Sequence, residues 1–142
     1  MLLDPRGPRF AAAVTTVVLV VVLLTGSGWL ALAQAAVFAL TAADPRRGPY
    51  GLLYRAVIAP RLPPPREREP AAPVRFAQVV GLVFTLVAAA GYLSGTPVLG
   101  VVATAAALAA AFLNAAFGVC LGCEAYLAIR RLAGRPLPSR LP

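Results

Sequence analysis

The sequence predicts an all-α, polytopic membrane protein: four transmembrane helices as two tandem hairpin repeats, each followed by an amphipathic surface helix. Three observations carry that prediction. Of the 142 residues 60% are apolar and 13% charged, with a mean hydropathy of +0.81, whereas about a quarter of a soluble domain is charged. The apolar residues gather in long blocks, as membrane spans do, rather than alternating with polar ones. All 13 basic residues are arginines, and they lie only in the segments flanking those blocks.

The whole chain, 1–142, reads as one membrane domain. Residues 1–9 form a short tail holding Pro5, Pro8, Arg6 and Arg9. The first repeat covers 9–62. Phe10 to Ala43 carries no charge; as one helix it would run about 50 Å, too long for a hydrocarbon core of about 30 Å. Thr25-Gly26-Ser27-Gly28 supplies the break, and Trp29 beside it suits a membrane interface. Two spans follow, near 10–27 and 29–43, both short enough to call for tilt or local thinning of the bilayer. The arginines, the apolar run to Leu24 and Ala31-Leu32-Ala33 imitate a cleaved signal peptide. The run continues through Val37-Phe38-Ala39-Leu40 and more spans come later, so the segment reads as retained.

Asp44-Pro45-Arg46-Arg47-Gly48-Pro49 is a basic turn. Tyr50 to Ala59 reads as a short helix along the membrane surface, stopped by Pro60. A charged, proline-rich linker over 63–74 then separates the halves. The second repeat, 75–132, opens with a span from Phe76 to Tyr92. The uncharged turn Leu93-Ser94-Gly95-Thr96-Pro97 leads to a span from Val98 to about Ala116. Phe117 to Leu132 is amphipathic and closes on Arg130-Arg131, cations suited to a helix C-terminus. The tail, 133–142, has Pro136 and Pro138 and no core of its own.

The repeats are read from spacing. Arg9-Phe10 and Arg75-Phe76 stand 66 residues apart; Asp44 and Asn114, Gly48 and Gly118, and Arg61-Leu62 and Arg131-Leu132 stand 70 apart. The longer second hairpin turn absorbs the difference. An even number of spans per copy makes the two copies parallel about an axis along the membrane normal. Cys120 and Cys123 then match Tyr50 and Leu53 of the first copy, which lacks the thiols.

Charge fixes the expected orientation. The N-terminus, the segment 44–75 and the end of the chain from Arg130 hold every arginine, and the two hairpin turns hold none. The positive-inside rule makes this a multi-pass protein of the cell's inner (plasma) membrane with both termini cytoplasmic. The net charge of +8 and pI of 11.1 would point to nucleic acid in a soluble protein. Here topology accounts for the arginines, so the lipid bilayer is the expected partner and nucleic acid is not.

Several chemistries are excluded. There is no histidine, which removes the commonest general base and metal ligand and rules out bis-His haem ligation. There is no phosphate loop, metalloprotease motif or Ser-His-Asp set. No Asp, Glu, Lys or Arg falls mid-span, so ion-coupled transport lacks its usual residues. Gln34, Gln78 and Asn114 are expected to bond to neighbouring helices, and the alanine- and glycine-rich spans favour close contact, including a homo-oligomer.

What remains is the segment from Asn114 to Glu124, with both cysteines as Cys120-Leu121-Gly122-Cys123. Three residues apart on a helix, the thiols share a face and reach bonding distance. A helix start at Gly118 would put them in its first turn, where the dipole favours a thiolate. Glu124 opposes that at Cys123, so Cys120 is the expected attacking sulfur and Cys123 the resolving one, with Glu124 and Asn114 as supporting polar groups. Gly122 leaves room for a partner's backbone. The competing reading is that the cysteines only pack, in a non-catalytic scaffold or a small-solute channel or transporter subunit. Two thiolates are half of a tetrahedral metal site, so a metal at Cys120 and Cys123 would require a second protomer. No pattern identifies a cofactor. The expected function is a thiol redox or sulfur-relay protein whose cytoplasm-facing Cys-x-x-Cys exchanges with a soluble partner.

Phe117-Gly118-Val119-Cys120-Leu121-Gly122-Cys123, with Asp4-Pro5-Arg6-Gly7-Pro8-Arg9-Phe10, resembles a family of small bacterial integral-membrane proteins, domain-of-unknown-function family 4395, frequent in actinobacteria. The likeness covers nearly the whole chain. Its most specific part is Asn-x-x-Phe-Gly-x-Cys-x-Gly-Cys, here Asn114 to Cys123 without departure. The resemblance implies no established activity; it implies an association with thioredoxin-like or rhodanese-like sulfur proteins, the partners expected here. Quinone-linked four-helix thiol oxidases also carry Cys-x-x-Cys, but facing outward, against the arginine pattern.

Overall fold

The computed structural model describes residues 2–66 and 68–135; Pro136 and Pro138 lie outside them. The described chain forms six α-helices: α1 Arg6–Thr25, α2 Gly28–Ala43, α3 Pro49–Leu53, α4 Ala71–Leu93, α5 Pro97–Phe117 and α6 Leu121–Leu132. α3 runs on through a π turn, Tyr54–Ile58, and a 3-10 turn, Ala59–Arg61. Strands β1 Leu2–Leu3 and β2 Glu69–Pro70 pair antiparallel, Leu2 opposite Pro70 and Leu3 opposite Glu69. This two-residue ladder is a strap on a helical protein, and the sequence offered no sign of it.

Helix ends fall where local chemistry puts them. Gly26 ends α1 in the left-handed region, and Ser27 starts α2 by accepting the Leu30 N–H at its Oγ, 3.2 Å away, the usual duty of an N-cap serine. Pro97 opens α5, where a missing N–H costs nothing. Two helices start earlier than the apolar blocks do: α1 at Arg6 and α4 at Ala71. Pro73 lies in the first turn of α4, which tolerates it for the same reason.

α1, α4 and α5 hold 20, 23 and 21 residues and are long and apolar enough to cross a membrane, which marks a membrane protein. α2 is apolar but has only 16 residues, about 24 Å of helix. Large apolar side chains such as Val17, Leu24, Trp29, Val98 and Val102 face outward, a surface that suits lipid and not water.

α1 lies chiefly against α5, and α2 against α4; α4 also packs on its hairpin partner α5, whereas α1 touches α2 far less. Val22, Ala31, Ala88, Ala89 and Ala103 form the core, with Tyr92 packed on it. At one end the hairpin turns meet, Gly26 and Gly28 lying against Tyr92 and Leu93. At the other, Arg9 Nη2 donates to Ala115 O at 3.3 Å and Arg75 Nε donates to Ala42 O at 2.8 Å. Each arginine lies near the start of one helix and caps the carbonyl end of another, where a cation is favoured.

Candidate functional site around Cys120 and Cys123

α5 stops because Gly118 adopts φ +70°, its N–H donating to Asn114 O. Cys120 is extended, and α6 begins at Leu121, four residues later than the amphipathic pattern suggests. Cys120 is the N-cap of α6, and its Sγ accepts the Cys123 N–H at 3.2 Å. A sulfur thus does what serine or aspartate does at most helix starts, and it faces the positive end of the α6 dipole. Cys120 and Cys123 are joined as a disulfide with Cα atoms 5.2 Å apart. Both residues are half-buried.

α4 holds this start in place. A Cβ added to Gly122 would lie 2.6 Å from Ala77 Cβ, so this glycine lets α6 close onto α4. The room expected there for a partner's backbone is taken by Ala77. Cys123 rests on an apolar patch of Leu3, Ala71 and Val74, which the β1–β2 strap brings together.

A small pocket of about 100 Å³ gathers all four sequence-derived site residues, Asn114, Cys120, Cys123 and Glu124, with Arg9 and Glu69. Glu124, in the first turn of α6, is exposed. Asn114 reaches in from the last turn of α5.

On its other side Cys120 borders a much larger chamber of about 660 Å³ between α1, α2, α4 and α5 and beside α3. Sequence reading missed it; the one signal is the run of alanines on α5, Ala106, Ala107, Ala110 and Ala111, all in its wall. Gln34, 2% exposed, donates to Thr15 Oγ1 at 3.4 Å and accepts from the Tyr50 hydroxyl at 2.7 Å. Burial pushes the Tyr50 phenol above its ordinary range. Beside the strap, burial alone would raise the Asp4 carboxyl, but hydrogen bonds from Arg6 and Tyr54 outweigh it and hold Asp4 below the usual carboxylate range. Among the described residues no three His, Cys, Asp or Glu side chains gather as a metal site.

The arrangement can do dithiol–disulfide chemistry. It has two half-buried cysteines, a helix start that favours a thiolate at Cys120, and a small pocket lined by both. A family model described as Domain of unknown function (DUF4395) matches residues 3–131. No curated protein and no solved structure matches the chain.

Proposed function

The chain belongs to the DUF4395 family, and on that premise we propose that it is a membrane-embedded thiol redox or sulfur-relay protein exchanging with a soluble thioredoxin- or rhodanese-like partner. The observation that carries this reading is the Cys120 sulfur capping α6 while bonded to Cys123. A bridge between residues three apart constrains the unfolded chain little, by only about 2 kcal/mol on the loop-entropy estimate. Packing or stapling therefore accounts poorly for it, and redox cycling accounts for it well.

In the exchange, a partner thiolate attacks Cys120 Sγ, the Cys120–Cys123 bond breaks, and Cys123 leaves as a thiolate. A second partner thiol then displaces Cys120. The partner loses two electrons and two protons and gains a disulfide; Cys120 and Cys123 gain those electrons and protons as two thiols.

The reading places the sulfurs at the cytoplasmic face of a four-span bundle in the plasma membrane, α2 being the shortest span, with both termini cytoplasmic. Two features support twin hairpins. Arg9 caps α5 as Arg75 caps α2. The Phe10–Tyr54 ring pair, with centroids 5.8 Å apart, has a counterpart in Phe76–Tyr126 at 5.7 Å.

The test is capture in inverted vesicles by a thioredoxin that keeps only its attacking cysteine, activated as the mixed disulfide with thionitrobenzoate. Cys123→Ser should release thionitrobenzoate and hold a mixed disulfide at Cys120, and Cys120→Ser should hold none. Slow, equal, pH-indifferent alkylation of both thiols with no mixed disulfide would leave the scaffold or channel-subunit reading, with cysteines that only pack.

A further inference from the structure

A soluble partner reaches the sulfurs from the small polar pocket and leaves the large chamber unused. Cys120 lies in the wall of both cavities. The chamber's 660 Å³ falls within the roughly 300–1,000 Å³ of small-ligand sites. Small residues keep it open: Ala12, Ala77, Gly81, Ala107 and Ala111 all line it. Near Cys120 the wall carries Gln78 and Asn114. Among the described residues neither of their side-chain amides makes a hydrogen bond, so both can donate to a ligand's carbonyl oxygens. Arg46, Arg55 and Arg68 line the arginine-bearing end.

An anionic lipid headgroup would engage those arginines and leave the amides and the sulfur without a role. A ligand with an apolar tail and a ring bearing two carbonyls engages the alanine wall, the amides and the sulfur together. We propose that the chamber binds an isoprenoid quinone, which oxidises the Cys120–Cys123 dithiol; this rests on the redox reading above. In the step the two thiols lose two electrons and two protons and the S–S bond forms. The quinone takes them, and its two C=O groups become C–OH groups. Electrons then run from a soluble protein dithiol, through the two cysteines, into the lipid phase.

The test uses the full chain in nanodiscs, reduced and kept under nitrogen, with decylubiquinone, whose fully substituted ring thiols do not alkylate. One quinol per protein should form as the disulfide closes, at a rate that saturates with quinone. Ala111→Phe, which fills the chamber, should raise the half-saturating concentration at least about tenfold. Gln78→Met and Asn114→Leu, which nearly keep side-chain size, should raise it too, so a fold lost in one variant leaves the others to decide. A rate that climbs linearly with quinone, or one that ignores all three substitutions, overturns the site. Exchange with thioredoxin but no quinol defeats the quinone and spares the relay; no exchange with thioredoxin defeats the relay itself. Phosphatidylglycerol retained by the purified protein, with no quinol formed, would assign the chamber to lipid.

Discussion

Cys120 holds three positions at once: helix cap, half of a disulfide, and wall of two cavities. The sequence made the pair visible, because two cysteines at helical spacing in a chain without histidine leave few other reactive groups. It did not make the cap visible, since that depends on Gly118 ending α5 with φ +70° and on Cys120 staying extended. Gly122 was legible as a glycine and misread in purpose. Its missing side chain admits Ala77, so Gly122→Ala should push α6 off α4 and cost about 1–3 kcal/mol as overpacking does. Thermal unfolding of the purified variant in detergent checks this, and an unchanged midpoint would mean that α6 yields freely.

Among the elements, the four apolar helices were readable from uncharged blocks and their punctuation, and each observed turn contains the glycine or proline that predicted it. Less readable were the helix starts, because Arg6 and Ala71–Val74 look like flanking sequence; in the fold Arg6 pairs with Asp4 and Ala71 and Val74 pack beside Cys123. The surface helices also shift: α3 follows Gly48 and α6 follows Cys120, 72 residues apart where residue spacing suggested 70. The non-helical stretch 118–120 takes up the two residues. Arg9 and Arg75 each tie one long helix to the end of another through a carbonyl. Arg9→Ala and Arg75→Ala should each lower stability by about 0.5–1.5 kcal/mol. Lying on different helix pairs, they should add when combined. Unfolding midpoints of the single and double variants in detergent decide this; a double variant much worse than the sum would show the two caps to be one cooperative lock.

For the molecule as a whole, charge reads out more simply than packing. The arginine-bearing ends of α1, α2, α4 and α5 come together at one pole and the uncharged turns at the other. The chamber had no such signature, because a cavity is made by the relation of faces on different helices and not by any one of them. Asp4 belongs to this scale, since it joins the N-terminal strap to α1 and to Tyr54. Its carboxyl is held below the ordinary carboxylate range, so its contribution is present above that range and fades as pH falls through the lower folded value. Midpoints of the wild type should therefore drop more steeply between about pH 5 and 2 than those of Asp4→Asn; parallel curves would remove Asp4 from the account. The strap itself has a practical outcome. Because Leu3 lies on Cys123 and pairs with Glu69, an affinity handle spliced ahead of residue 1 would emerge beside Cys120 and Cys123, where its bulk would screen any thiol reagent or protein approaching them and make the proposed exchange look absent.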